Sequence, residues 1–346
     1  MSTAGHTVAV DHLLICGLGS IGRRHLRHFR ALGVRRIDAL RSGLATLPDD
    51  GQPAPDHTYH ALDEALAAQP EAVVVCQPTA LHLPTARAAV DAGAHVLVEK
   101  PLHHRLDGCA ELIERAAERG LVLAVGCNLR FHPLLGRIRR GLESGEWGRP
   151  LLARAHFGAW LPDWHPWEDY REGYAARRDL GGGAALTHIH EIDYLLWLLG
   201  PAAASAGFSS PLRPLGTDVD ETTVGVLHHH SGALSVLSLS LAQGPPSRSL
   251  HLVCEAATLE LDLIACQLKI DPKINNPMDR PATPEPPMAD PFDIDPFDID
   301  QTYRDQAEAF CRRIDPTNPG DPRLCDGPQA LAALEIALSI QAEAHA

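Results

Sequence analysis

Positive charge is scarce in this chain of 346 residues: 30 Lys and Arg stand against 44 Asp and Glu, giving a formal net charge of −14 and a pI near 5.7. With no basic footprint, nucleic acid and anionic membrane surfaces are excluded as expected partners. No stretch approaches the roughly 18 uninterrupted apolar residues of a membrane-spanning helix, and the start MSTAGHTVAV lacks the charged region and long apolar run of a secretory signal. None of the eight cysteines forms a C-x-x-C pair, and Cys16 and Cys76 fall in buried-strand patterns. They read as small core residues in a reducing compartment rather than a disulfide frame or a zinc site, so a soluble cytoplasmic protein with no metal is expected. Repeats of solenoid length are missing too, and the one internal repetition is the doubled PFDID of residues 291–300.

What is present is 45% hydrophobic residues, enough in a chain this long for two domains with real cores. LLIC (13–16) reads as a short buried strand, and GLGSIG then opens the amphipathic stretch RRHLRHFRALG. In a dinucleotide-binding unit Gly17 permits the tight turn, Gly19 lets backbone approach a pyrophosphate, and Gly22 lets helix pack on strand. The motif, Ser20 and Ile21 included, then sets the phosphates at a helix N-terminus, where free N–H groups favour negative charge. The second strand, RRIDALRS, ends on Arg41-Ser42 where an acidic residue commonly holds the adenosine ribose. An arginine there accommodates a 2′-phosphate and favours NADP over NAD; Asp38 is the alternative ribose ligand in a shifted register.

PEAVVVCQPTALHLPTARAAVDAGAHVLVEKPL reads as strand, turn, helix, strand. Cys76-Gln77-Pro78-Thr79 and Glu99-Lys100-Pro101 leave their strands at the C-terminal edge, where open α/β sheets bind ligands. Lys100 at that edge is suited to acid/base work, with Glu99 to orient it, whereas a solvated Lys after a strand is the bland alternative.

These segments, with GGG and HEIDYLLWLLG further on, resemble the glucose-fructose oxidoreductase and inositol dehydrogenase (Gfo/Idh/MocA) family over nearly the whole chain. The resemblance implies a Rossmann domain (1–150), an α+β substrate and oligomerisation domain with a predominantly antiparallel open sheet (151–300), and C-terminal helices packing back on the cofactor domain (301–346). It implies that Lys100 relays a proton as a secondary alcohol is oxidised or a ketone reduced, and that Gln77, Pro78, His82 and Glu99 line the cofactor site. The family's D-x-x-x-H-x-x-D pattern is half met by His190 and Asp193; Leu186 or Thr187 stands where the first Asp is expected. WLPDWHPWEDYREGYAARRDLGGG followed by HEIDYLLWL resembles a bacterial branch associated with surface sugars and nonulosonic acids.

Beyond Lys100, Asn128, Arg130 and His132 leave a strand near the expected cleft, where Arg130 or His132 touches substrate or else makes an ion pair or an interdomain contact. LLARAHFGAW, TTVGVLHHH, ALSVLSLSLA, RSLHLVCEA and TLELDLI alternate as strands. Residues 271–300 carry eight prolines and read as an acidic exposed loop or a lid. His190, Asp193, Tyr194 and Trp197 share one helical face, with His190 able to exchange a proton near neutral pH and Asp193 or Glu191 able to hold its ring. Trp160, Trp164 and Trp167 interleave with Asp163, His165 and Asp169, as a carbohydrate pocket or a dimer-interface loop would. Arg171, Arg177 and Arg178 suit a substrate anion or surface ion pairs. His228, His229 and His230 alternate across a strand, cannot share one metal, and read as solvated.

The expected protein is an NAD(P)-dependent oxidoreductase acting on a secondary hydroxyl or keto carbon of a sugar, amino sugar or cyclitol, as a homodimer or homotetramer. The catalytic residues are Lys100, His190 and Asp193, with Asn128, Arg130, Trp164, His165, Thr187 and Tyr194 against substrate. The alternatives are an NAD-dependent glycosidase of the same family and a non-catalytic cofactor-sensing regulator.

Overall fold

The computed structural model describes residues 9–43, 53–273 and 297–341. The chain divides into two compact units: residues 1–131, 167–182 and 300–334, and residues 132–166, 183–299 and 335–346.

The first unit alternates strand and helix: β1 (His12–Cys16), α1 (Ser20–Ala31), β2 (Arg36–Leu40), β3 (Thr58–Tyr59), α2 (Leu62–Ala67), β4 (Ala72–Val75), α3 (His82–Asp91), β5 (His95–Val98), α4 (Cys109–Glu118) and β6 (Leu123–Val125). Runs such as AVVV in β4 are buried along their whole length, which is what a parallel sheet covered on both faces requires. The strand order is β14-β6-β5-β4-β1-β2-β3, parallel except where the late β14 (Cys325–Asp326) pairs antiparallel with β6. The order in which strands are added therefore reverses between β1 and β4, which run parallel, and this is the switch point at which a doubly wound sheet opens a ligand crevice. Helix α8 (Asp300–Ile314) returns to this unit, and its Phe310 meets Phe29 of α1 edge to face, with ring centroids 6.4 Å apart.

The second unit holds α5 (Pro133–Ser144), β7 (Pro150–Trp160), α6 (Ala184–Thr187), α7 (His190–Leu199), β8 (Ala202–Ser209), β9 (Thr222–His229), β10 (Leu234–Ser240), β11 (Ala242–Cys254), β12 (Ala257–Asp262) and β13 (Gln267–Pro272). Its sheet, ordered β13-β12-β11-β7-β10-β9-β8, is antiparallel apart from the β7–β10 pair. Alternation is strict in β9: Thr223, Gly225, Leu227 and His229 are buried while Val224, Val226 and His228 are exposed. The last helix, α9 (Gly327–Ile340), begins in the first unit's residues and ends in the second's, where Ile340 packs on Gly207 and Gly225.

The units depart from boundaries at 150 and 300. Residues 132–150 group with the second unit because α5 packs on α7, with Arg139 stacked 5.5 Å over Trp197. Residues 167–182 group with the first because Gly181 sits against Thr79 and His104. Strands β8 and β13 were not foreseen; β8 (AAASAGFS) is built of small residues with little β-branched content. The proline-rich stretch lies almost wholly outside the described residues. No described helix is long and apolar enough to cross a membrane.

Candidate active site

In the first unit the glycine turn is forced by close backbone approach. Gly17 has φ +97°, and a Cβ there would lie 2.8 Å from the Cys76 carbonyl oxygen; one on Gly22 would lie 1.9 Å from the Gly17 carbonyl. Gly19 is different, since a Cβ there would meet nothing within 4 Å. It caps α1 without a side-chain bond, so the backbone N–H groups at the start of α1 are left without a capping side chain beside open space.

Arg41 follows the last residue of β2, where the register places it, and its N–H donates to the Tyr59 carbonyl at 3.0 Å. Asp38, the alternative ribose ligand, is buried in the sheet; it accepts from Arg36 at 2.7 Å and pairs with His12 at 2.9 Å.

The loops after β4 and β5 are tied together by His82. Its Nδ1 lies 2.8 Å from the Pro101 carbonyl oxygen and its Nε2 2.8 Å from that of Gln77, while Thr85 donates to the Gln77 side chain at 2.7 Å. Burial holds the His82 pKa below its ordinary value against those two bonds, and a neutral ring has one N–H to donate. His82 therefore sits between the loops that carry Gln77 and Lys100 and, while neutral, donates to one of the two carbonyls at a time. Lys100 itself is half-buried, and Glu99 is buried, with Oε2 accepting the Lys100 backbone N–H at 3.2 Å and Oε1 lying 2.7 Å from His25 Nε2. Burial pushes the Glu99 carboxyl up, but the His25 bond and neighbouring charges outweigh it, leaving the pKa lowered.

Asn128 and Arg130 carry bonds internal to this unit: Asn128 donates to Thr302 at 2.7 Å and Arg130 to Gln329 at 2.6 Å. Trp167 is 48% exposed and belongs to the first unit, so it does not share a fold unit with Trp160 and Trp164. Arg171 pairs with Asp169 and Arg177 with Asp179, surface ion pairs as the simpler reading expected.

In the second unit Gly183 (φ +108°) lets the chain pass Asp220 so closely that a Cβ would lie 2.0 Å from its Oδ1. Asp220 accepts from Ala185 N at 3.1 Å, Thr223 Oγ1 at 2.8 Å and Gln341 Nε2 at 2.9 Å, which pins the start of α6. Burial raises the Asp220 pKa despite these donors. Thr187 closes α6, and α7 then presents His190, Asp193 and Tyr194, all buried. Glu191 is fully buried and accepts from Arg248 through bonds of 2.6 and 3.1 Å. The Tyr194 hydroxyl has no hydrogen-bond partner among the described residues, and burial pushes its pKa well up, so it stays a neutral phenol. Trp164 and Phe157 flank His188, with ring centroids 5.7 and 4.3 Å from it, and His165 is half-buried on the same loop.

His229 corrects the expectation of solvated histidines: it is fully buried, with Nδ1 2.7 Å from the Gly200 carbonyl oxygen and Nε2 2.8 Å from Ser235 Oγ. Only His228 and His230 are exposed, because strand alternation turned the middle residue inward. Asp220 and Arg248 escaped the sequence reading, since each acts on a partner more than thirty residues away.

With this geometry in place, the comparisons agree. Residues 12–127 match the model of the oxidoreductase family with NAD-binding Rossmann fold, and residues 136–260 that of the GFO/IDH/MocA C-terminal domain. The chain belongs to the Gfo/Idh/MocA family. It is 30% identical over 177 residues to a 1,5-anhydro-D-fructose reductase of Ensifer adhaerens, covering 50% of this chain and 51% of that protein. It is 29% identical over 231 residues to inositol 2-dehydrogenase 2 of Saccharopolyspora erythraea, covering 64% and 63%. The matched stretches thus span about half to two thirds of these relatives. A crystal structure of the WlbA dehydrogenase from Bordetella pertussis, in complex with NADH and UDP-GlcNAcA, shares the fold with TM-score 0.77 at 19% identity, over 96% of this chain and 95% of that one.

Proposed function

We propose that the protein is an NAD(P)-dependent dehydrogenase or reductase acting on a secondary hydroxyl or keto carbon of a sugar, amino sugar or cyclitol, with Lys100 as proton relay. The observation that carries this reading is the position of Lys100, half-buried at the C-terminal edge of β5 and anchored by His82 to the loop that packs on Gly17. The residue type itself supports it. A lysine, unlike an arginine, can give up its proton near neutral pH when its surroundings lower its pKa.

The nicotinamide, when bound, supplies the hydride donor or acceptor. Gly17, Gly19 and Gly22 with the start of α1 take the pyrophosphate, and Arg41 with Ser42 favours the 2′-phosphate of NADP. Lys100 takes the hydroxyl proton in oxidation and returns it in reduction, and His190, oriented by Asp193, is the second proton-handling group. Leu186 or Thr187 occupies the position of the family's acid, and of the two only Thr187 has a hydroxyl to offer to substrate.

We assign the protein to the reducing cytoplasm, in keeping with its eight free cysteines. We also read the exposed apolar face of the second sheet, where Val226 pairs with Val236 across β9 and β10, as a subunit contact in a homodimer or homotetramer. The functional test is a panel of UDP-GlcNAcA, inositol and 1,5-anhydro-D-fructose with NAD(H) and NADP(H), followed at about 340 nm. Turnover of a panel member is expected; cofactor binding without turnover of any would point to the sensing regulator instead.

A further inference from the structure

His25 lies three residues past Gly22 on the inner side of α1 and is fully buried. Its ring is flanked by Phe29 and Tyr303, each with a centroid 6.1 Å away, and Arg24 stacks 4.6 Å over the Tyr303 ring. Nε2 meets Glu99 Oε1 at 2.7 Å, and the carboxylate is pressed against Gly126, where a Cβ would come within 2.9 Å of Oε2. There is no slack: the carboxylate is clamped from two sides and holds the Lys100 backbone N–H with its second oxygen. A single buried hydrogen bond contributes only modest net stability, so the value of this one lies in what it fixes. It joins the helix that receives the dinucleotide to the residue preceding the relay lysine.

We propose that His25 is a positioning residue for Lys100: through Nε2 it holds Glu99, and Glu99 fixes the backbone from which the Lys100 amine reaches substrate. This rests on the relay reading of Lys100, and the test separates the two.

Variants His25→Leu, His25→Gln and Lys100→Met, and the double variant His25→Leu/Lys100→Met, are assayed with NADP(H) and the panel sugar turned over fastest. His25→Leu should lower kcat about tenfold or more while cofactor Kd stays within about threefold, and His25→Gln, which keeps an N–H donor, should recover most of the loss. In the Lys100→Met background the His25→Leu change should cost less than about twofold, because the group it positions is gone. An undiminished loss in that background, or equal losses in the Leu and Gln variants, overturns the positioning role and leaves the relay standing. Full turnover by Lys100→Met overturns the relay itself. A reading independent of substrate comes from 13C-dimethyl labels on the three lysines: His25→Leu should move the Lys100 signal and leave those of Lys269 and Lys273 in place, and an unmoved Lys100 signal overturns the proposal. If His25→Leu does not fold, Glu99→Gln, which keeps the packing and weakens the clamp, is held to the same criteria.

Discussion

The two units hold their polar site residues by different means. In the first, the chemistry-bearing loops hang from strand ends on backbone bonds, Gly17 N–H to the Leu40 carbonyl, Cys76 to Cys16 and Glu99 to Val75, to which the buried side chains of His82, His25 and Glu99 add local contacts. In the second, α6 and α7 depend on side chains brought from afar, Asp220 onto Ala185 and Arg248 onto Glu191. Backbone-held loops tolerate loss of a side chain, so mutations there should report on chemistry. Side-chain-held helices do not, so mutations there should report first on folding.

The sharpest way to break that contrast is Arg248→Met. Glu191 is fully buried, and stripping its partner leaves an uncompensated charge, which costs about 3–5 kcal/mol. Urea denaturation should show a loss of that size, with Arg248→Met/Glu191→Gln regaining most of it. In the first unit, Arg35→Met removes an exposed pair with Asp11 and should cost no more than about 1 kcal/mol. Equal losses for the two arginines would erase the distinction.

Lys100→Ala should show the opposite signature, a fall in kcat of roughly 10² or more with stability and cofactor affinity nearly unchanged. Near-normal turnover measured with the panel sugar would remove Lys100 from the mechanism.

The same contrast explains what the sequence disclosed. GLGSIG, CQPTALH and VLVEKPL are each local, because a parallel sheet delivers strand ends to one edge whatever follows in the chain. The antiparallel character of the second sheet was readable from alternation in β7, β9, β10, β11 and β12. The fate of Glu191 was not, since its partner Arg248 lies 57 residues on in a strand whose side-chain register only tertiary pairing sets. Asp220 sits in an acidic loop, DVDET, that reads as surface, yet it is buried because Gly183 lets the chain pass over it. The division of the loop carrying Trp164 and Trp167 between two units was equally invisible, because composition does not reveal where a chain leaves one body for another.

A smaller effect is expected from pH. His132 caps α5, with Nδ1 accepting the Leu134 N–H, and burial, helped by the charge of Arg248, lowers its pKa to about 4. An unfolded His protonates near its ordinary 6.5 while the folded one resists, so the stability His132 contributes is complete above that value and is lost as pH falls from 6.5 toward 4. His132→Asn keeps a capping oxygen but no proton site. Relative to it, the wild type should lose on the order of 2 kcal/mol between neutral pH and pH about 4. Parallel acid profiles for the two proteins would show that the cap is not what titrates.

The smallest effect lies at the far end of the cofactor, where the outcome rests on a side chain. Arg41 is placed by backbone, its N–H on Tyr59 and its carbonyl oxygen 3.0 Å from His60 Nδ1, but the discrimination we assign to it belongs to the guanidinium alone. Asp38 itself is committed to His12 and Arg36 and is not available for a free 2′-hydroxyl. Wild type should therefore bind NADP more tightly than NAD by about tenfold, and Arg41→Asp should reverse the order, since a carboxylate accepts from ribose hydroxyls and repels a phosphate. Paired Kd values for the two cofactors decide it. A clear wild-type preference for NAD would take the phosphate-binding role from Arg41, while leaving the glycine turn and Lys100 where backbone geometry puts them.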